Sequence, residues 1–148
     1  MGTSTVKFHR VIKASVSKVF KAFTNADAMA FWSPPYGFLC KVHEMDFKIG
    51  GVYKMSFFNF TTDKIHSFGG KYLEIKSNEL IKYSDQFDDI NLPGTMITTV
   101  HFNEVSCGTE INITQEGIPE QIPAEFCYLG WQESLEKLIK LVEPEIND

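Results

Sequence analysis

The chain has 148 residues, 43% apolar and 22% charged, which suits one soluble globular domain spanning 1–148. A net charge of −5, a single arginine (Arg10) and dispersed lysines speak against the basic stripe of a nucleic-acid binder. The widely spaced Cys40, Cys107 and Cys127 form no disulfide framework, and no apolar run reaches the ~20 residues of a membrane span.

The segment MGTSTVKFHR lacks the apolar core of a signal peptide, and Val6 breaks the myristoylation pattern. A cytoplasmic location is therefore expected, and the sequons at Asn59 and Asn112 read as chance matches. Residues 5–13 alternate loosely and predict a strand. Ser15 is a candidate N-cap for a short helix whose apolar face is Val16, Val19, Phe20 and Phe23. Asn25 caps a second helix of about two turns, ended by Ser33-Pro34-Pro35-Tyr36-Gly37. Strands are predicted at 39–47, 52–60, 65–76, 79–87, 95–105 and 109–117, with short turns between them, the pattern of an antiparallel meander.

The last helix is expected to start near Glu120 and to stop at Pro144, with Tyr128, Trp131, Leu135, Leu138 and Val142 as its buried stripe. At roughly 22 residues it measures about 33 Å, long enough to cover a sheet with one apolar face. The fold class that follows is α+β, a strongly curved sheet of six or seven strands around this helix. Inside the helix Gly130 precedes Trp131, and a mid-helix glycine costs about 1 kcal/mol relative to alanine. Two explanations stand. The missing side chain lets the helix backbone press against the sheet, or it leaves room for a ligand.

Five stretches in this order, ASVSKVFKAFT (14–24), FWSPP (31–35), DFKIGGVY (46–53), GKYLEI (70–75) and GWQESLEKL (130–138), resemble the homologues of the activator of the heat-shock-protein-90 ATPase. That family lies within the START-like, SRPBCC superfamily, and the likeness covers nearly the whole chain. The Gly108-Thr109 turn is similar too. The chain departs from the family at Ser15-Val16 and at Ser77-Asn78, where proline is usual. The resemblance implies a helix-grip fold with a cavity between sheet and helix, used by superfamily members for lipids, hormones, polyketides and other apolar molecules. Some members are enzymes, such as cyclases. The eukaryotic co-chaperones carry a further N-terminal domain for which 148 residues leave no room.

Cys40-x-x-His43 is half of a zinc spacing without a second half, so no metal is expected, and no cofactor motif occurs. Gly50-Gly51 and Gly69-Gly70 read as turn and bulge positions. Strand parity puts Tyr53, Met55, Phe57 and Asn59 on one face, as it does His66, Phe68, Gly70 and Tyr72, and Ile81, Tyr83, Asp85 and Phe87. Val100, Phe102, Ile111, Ile113 and Gln115 extend that face. The expected ligand contacts are Trp32, Tyr53, Phe57, Phe68 and Tyr72, joined by Tyr83, Phe87, Gln115, Tyr128 and Trp131. No catalytic residue is assigned; His66 with Asp85 is the one candidate pair for general-base work. The expected function is binding of a small apolar molecule by a monomer or homodimer. The alternatives are a polyketide-cyclase-type enzyme using the same cavity, or a co-chaperone-like interaction protein.

Overall fold

The computed structural model describes residues 2–148. Strand β1 (Thr3–Ile12) leads into helices α1 (Val16–Thr24) and α2 (Ala26–Trp32). There follow β2 (Phe38–Met45), β3 (Val52–Asn59), β4 (Ile65–Lys76), β5 (Leu80–Phe87), β6 (Met96–Val105), β7 (Gly108–Pro119) and α3 (Ala124–Val142). The strands make one antiparallel seven-stranded sheet in the order β1-β7-β6-β5-β4-β3-β2. The meander from β2 to β7 follows from its short turns, and β1 returns to pair with β7, Phe8 opposite Ile113. The class is α+β, as the order of elements predicts.

Both short helices start where the sequence places their caps. The Ser15 hydroxyl accepts from Lys18 N–H at 3.3 Å and the Asn25 side chain from Ala28 N–H at 2.9 Å. Asn25 is also the C-cap of α1, and its extended backbone turns the chain between the two helices.

The last helix begins later than expected, at Ala124 rather than near Glu120. Strand β7 runs on to Pro119, which pairs with Thr3. Pro123, with φ −60° and ψ 137°, then occupies the N-cap. A proline further inside a helix would clash with the preceding turn, so the helix starts after it.

Glycines shape the sheet where other residues would collide. Gly117 has φ +74°, and a Cβ there would sit 2.7 Å from the Thr95 carbonyl oxygen. Opposite it the β1 register shifts between Ser4 and Val6. This bulge lets Ile118 turn inward just as Gln115 does, against simple alternation. At Gly69 and Gly70 a Cβ would meet the Tyr53 and Ser84 carbonyl oxygens at 2.5 and 1.9 Å. Here Lys71 N–H leaves the regular ladder and donates to the Ser84 hydroxyl at 3.0 Å.

The interior is solid at one end. Under α1, Phe102 meets Phe20 and Phe23 at ring distances of 5.2 and 5.3 Å, and Leu135, Leu138 and Val142 of α3 are buried in the same cluster. Full burial of each such side chain contributes about 1.5–3 kcal/mol. A second, smaller cluster gathers Val6, Met96 and Ile118 beneath the start of α3. Residues of both clusters border the space described next.

Candidate functional site

A cavity of about 290 Å³ lies between the sheet and the N-terminal half of α3. Three adjacent strands supply one wall. Tyr53 and Phe57 come from β3, Phe68 and Tyr72 from β4, and Tyr83 and Phe87 from β5. Their rings interlock, with Phe57 and Phe68 at 4.7 Å, Tyr53 and Tyr72 at 5.5 Å, and Tyr53 and Tyr83 at 5.7 Å. The opposite wall is the α3 stripe Cys127, Gly130, Trp131 and Ser134, spaced i, i+3, i+4, i+7.

Nine of the ten expected contact residues border this space. The exception is Tyr128, which is 43% exposed and lies edge-on to Phe8 of β1 at 5.1 Å. One residue turns a helix by about 100°, so the inward stripe starts at Cys127 and leaves Tyr128 at its flank. Val100, Phe102, Ile111 and Ile113 are packed core at the solid end rather than lining, and Asn59 accepts from the Thr61 and Thr62 amides in a turn.

Trp32 borders the cavity from α2, held by a 2.8 Å bond from its Nε1–H to the Ala22 carbonyl and by the Phe23 ring at 4.8 Å. Trp131 donates to Gln115 Oε1 at 3.0 Å, a bond that joins α3 to β7. The Ser134 hydroxyl lies 2.7 Å from the Ser33 carbonyl and 2.9 Å from the Gly130 carbonyl, tying α3 to the end of α2. Ser33, Ser134 and the mouth residues Ile122 and Phe126 escaped the sequence reading. Of these, Ser134 carried a signal, since it falls three residues after Trp131 of the expected stripe.

Gly130 settles the question its position raised. A Cβ built there has no heavy atom within 4 Å, so the helix does not press its backbone on the sheet. The close-packing explanation is overturned, and the bare helix turn faces the cavity.

Asp85 sits among the tyrosines. Its Oδ1 is buried without a hydrogen-bond partner. The Tyr53 hydroxyl donates to the Ser84 carbonyl at 2.9 Å and also neighbours the Asp85 carboxyl. Desolvation pushes the Asp85 carboxyl up to about 7, partly offset by the neighbouring Tyr53 hydroxyl and the Gln86 N–H. Burial, and then the Asp85 charge, raises the Tyr53 and Tyr83 phenols well above their usual range, and burial lifts Tyr72 to about 12. His66 is exposed at the rim. With Phe68 opposite Phe87 and Tyr72 opposite Tyr83, Asp85 is level with Gly70. That leaves His66 about 13 Å away along the strand, so the structure does not bring the candidate pair together.

Among the described residues no group of three or more His, Cys, Asp or Glu is arranged to hold a metal ion. Cys40 packs on the core, whereas His43 bonds Ser56 at 2.8 Å on the other face of the sheet. No helix of the described residues is long and apolar enough to cross a membrane.

A curved antiparallel sheet gripping a C-terminal helix, with space left beneath that helix, defines a START-like α+β protein. Residues 13–143 match the family described as Activator of Hsp90 ATPase homolog 1-like protein, and the chain belongs to that family. A crystal structure of a Chromobacterium violaceum protein is 52% identical, with a TM-score of 0.94 over 95% of this chain and 98% of that one. A Rhodobacter sphaeroides protein shares the fold at 15% identity and a TM-score of 0.81, covering 93% of this chain and 91% of its own. An AHSA1-like protein from Aeromonas hydrophila is 15% identical with a TM-score of 0.76, covering 98% and 100% of the two chains. No curated protein matches.

Proposed function

We propose that the protein binds a small apolar molecule in the cavity between the sheet and the N-terminal half of α3. The observation that carries this is the space itself, about 290 Å³, walled by aromatic rings on three strands and by an α3 turn stripped of its side chain at Gly130. An apolar pocket with a few polar groups is the usual pattern of a ligand site. The polar groups here include Asp85, Gln115, Ser134 and the Tyr53, Tyr72 and Tyr83 hydroxyls, with His66 at the rim. Trp131 reports on occupancy because it borders the space. The test is native mass spectrometry of gently purified protein, followed by titration of tryptophan emission with a neutral apolar dye. A bound small molecule, or saturable one-to-one dye binding, supports the reading. Protein that arrives empty and shows no saturable binding overturns it.

Asp85 favours a second reading, an enzyme of the polyketide-cyclase type. A carboxyl pushed up to about 7 can exchange a proton near neutral pH. Its role would fall to Asp85 without His66, given their separation along β4 and β5. Turnover of a polyketide-like substrate that is lost in Asp85→Asn would establish it, and equal turnover by both proteins would remove its only residue.

A further inference from the structure

The polar contents of the cavity are lopsided. Asp85 Oδ1 is a buried acceptor with no protein donor. The groups around it are the phenols of Tyr53 on β3, Tyr72 on β4 and Tyr83 on β5, with Cys127 across the space on α3. The Lys54 side chain points to the outer face, where it pairs with Asp88. Among the described residues no Lys or Arg borders the cavity, and His66 stands at the rim. The Gln115 amide oxygen already accepts from Trp131, and Ser134 is bonded to backbone carbonyls. A ligand therefore meets one unsatisfied acceptor, Asp85 Oδ1, in a cavity also lined by three tyrosines.

We infer that the ligand is an apolar molecule carrying one protonated amine, which seats against Asp85 among Tyr53, Tyr72 and Tyr83 while its apolar body extends under Gly130. The inference rests on the cavity-binding reading and names the ligand class for it. An ammonium supplies the hydrogen-bond donor that Asp85 Oδ1 lacks and adds a countercharge within the cavity to the attraction of Lys54 on the outer face, and tyrosine rings attract a cation through their faces. An anionic ligand would face an unpaired carboxylate with no cation beside it. The chain's net charge of −5 favours approach of a cation over an anion.

The sign of the pH dependence follows. An amine binds the ionised carboxylate, and a carboxyl titrating near 7 is about a tenth ionised at pH 6 and about nine-tenths at pH 8. Amine affinity rises about tenfold over that interval. A neutral carbonyl ligand would behave oppositely, since it needs Asp85 protonated as a donor. His66 also borders the space, so the contribution of Asp85 is isolated by substitution.

The experiment is displacement of a cavity-bound neutral solvatochromic dye from the full chain by 2-naphthylmethylamine and by its isosteric alcohol, 2-naphthylmethanol, at pH 6 and pH 8. The expected result is that the amine displaces at least tenfold better than the alcohol at pH 8. That preference falls toward pH 6 and is abolished in Asp85→Asn, each displacement being referred to that variant's own dye affinity. Carboxyl-carbon NMR of the wild-type chain supplies a second readout. Amine binding lowers the Asp85 titration point, and alcohol binding does not. If the dye binds but amine and alcohol displace it equally, the cavity reading stands and the amine inference falls. If the alcohol wins and its affinity grows as pH drops, Asp85 acts as a neutral donor and the inference is again overturned. If the dye itself fails to bind, the cavity reading fails and takes the inference with it.

Discussion

Replacing Gly130 separates the two roles a glycine can play in the middle of a helix. A Cβ at this position meets nothing within 4 Å, and the residue has ordinary helical backbone geometry. Gly130→Ala therefore removes only the conformational penalty of glycine, about 1 kcal/mol. The bond from Ser134 to the Gly130 carbonyl uses main chain and survives. For a chain of this size, 1 kcal/mol raises Tm by roughly 2–4 °C. Gly130→Leu carries the same helix gain and projects its branched side chain into the space between α3 and the aromatic wall. It should keep or raise Tm while weakening dye binding at least tenfold. Scanning calorimetry and emission titration on the same preparations measure both quantities. A fall in Tm for Gly130→Ala would show that the helix is packed tightly at this turn. Unchanged binding in a folded Gly130→Leu would show that the ligand sits elsewhere.

Asp85→Asn tests the buried carboxyl without any ligand. Its folded titration point, about 7, lies above the ordinary 3.8, so the folded protein holds the proton more tightly than the unfolded chain. Wild-type stability is then undiminished by this group below about pH 4 and is lost progressively as pH rises toward 7. The substitution should stabilise by a few kcal/mol at pH 8, with the gap to wild type closing by pH 4–5; denaturant midpoints across pH measure it, and destabilisation at pH 8 would contradict it. Leu138→Ala, at a fully buried position in the solid end, should cost about 2–5 kcal/mol in urea unfolding with dye affinity nearly unchanged. Gln115→Leu leaves the Trp131 Nε1–H without its acceptor and should cost about 1–2 kcal/mol, with a shift in tryptophan emission; an unchanged spectrum would mean the 3.0 Å bond is not formed in solution.

The candidate site was legible in proportion to how local its causes are. The inward faces of β3, β4 and β5 follow from alternation because the disturbances fall at their margins. The bulge in β4 lies between Tyr72 and Glu74, after the lining residues. The distortion at Gly70 keeps Phe68 and Tyr72 on one side. Trp32, Gln115 and Trp131 were readable from polarity and helical spacing. Tyr128 was not, because an apolar stripe on a helix is wider than the strip that faces any one partner. Which flank turns outward depends on where β1 runs, and Phe8 of β1 meets it. The solidity of one end was equally hidden. Val100, Phe102, Ile111 and Ile113 share the parity of the lining residues, and only the position of α1 decides that its phenylalanines fill the space above them.

By itself the sequence determined the order of elements, the caps at Ser15 and Asn25, the meander, and the inward set of aromatic residues, since periodicity, capping chemistry and turn residues all act within a few positions along the chain. Tertiary structure alone decided that Gly130 opens onto space rather than against backbone, that Asp85 loses water and its Oδ1 goes without a partner, and that His66 stays at the rim. Each of these depends on atoms brought in from distant segments. A side chain's solvation and neighbours are properties of the packed whole, and no local pattern encodes them.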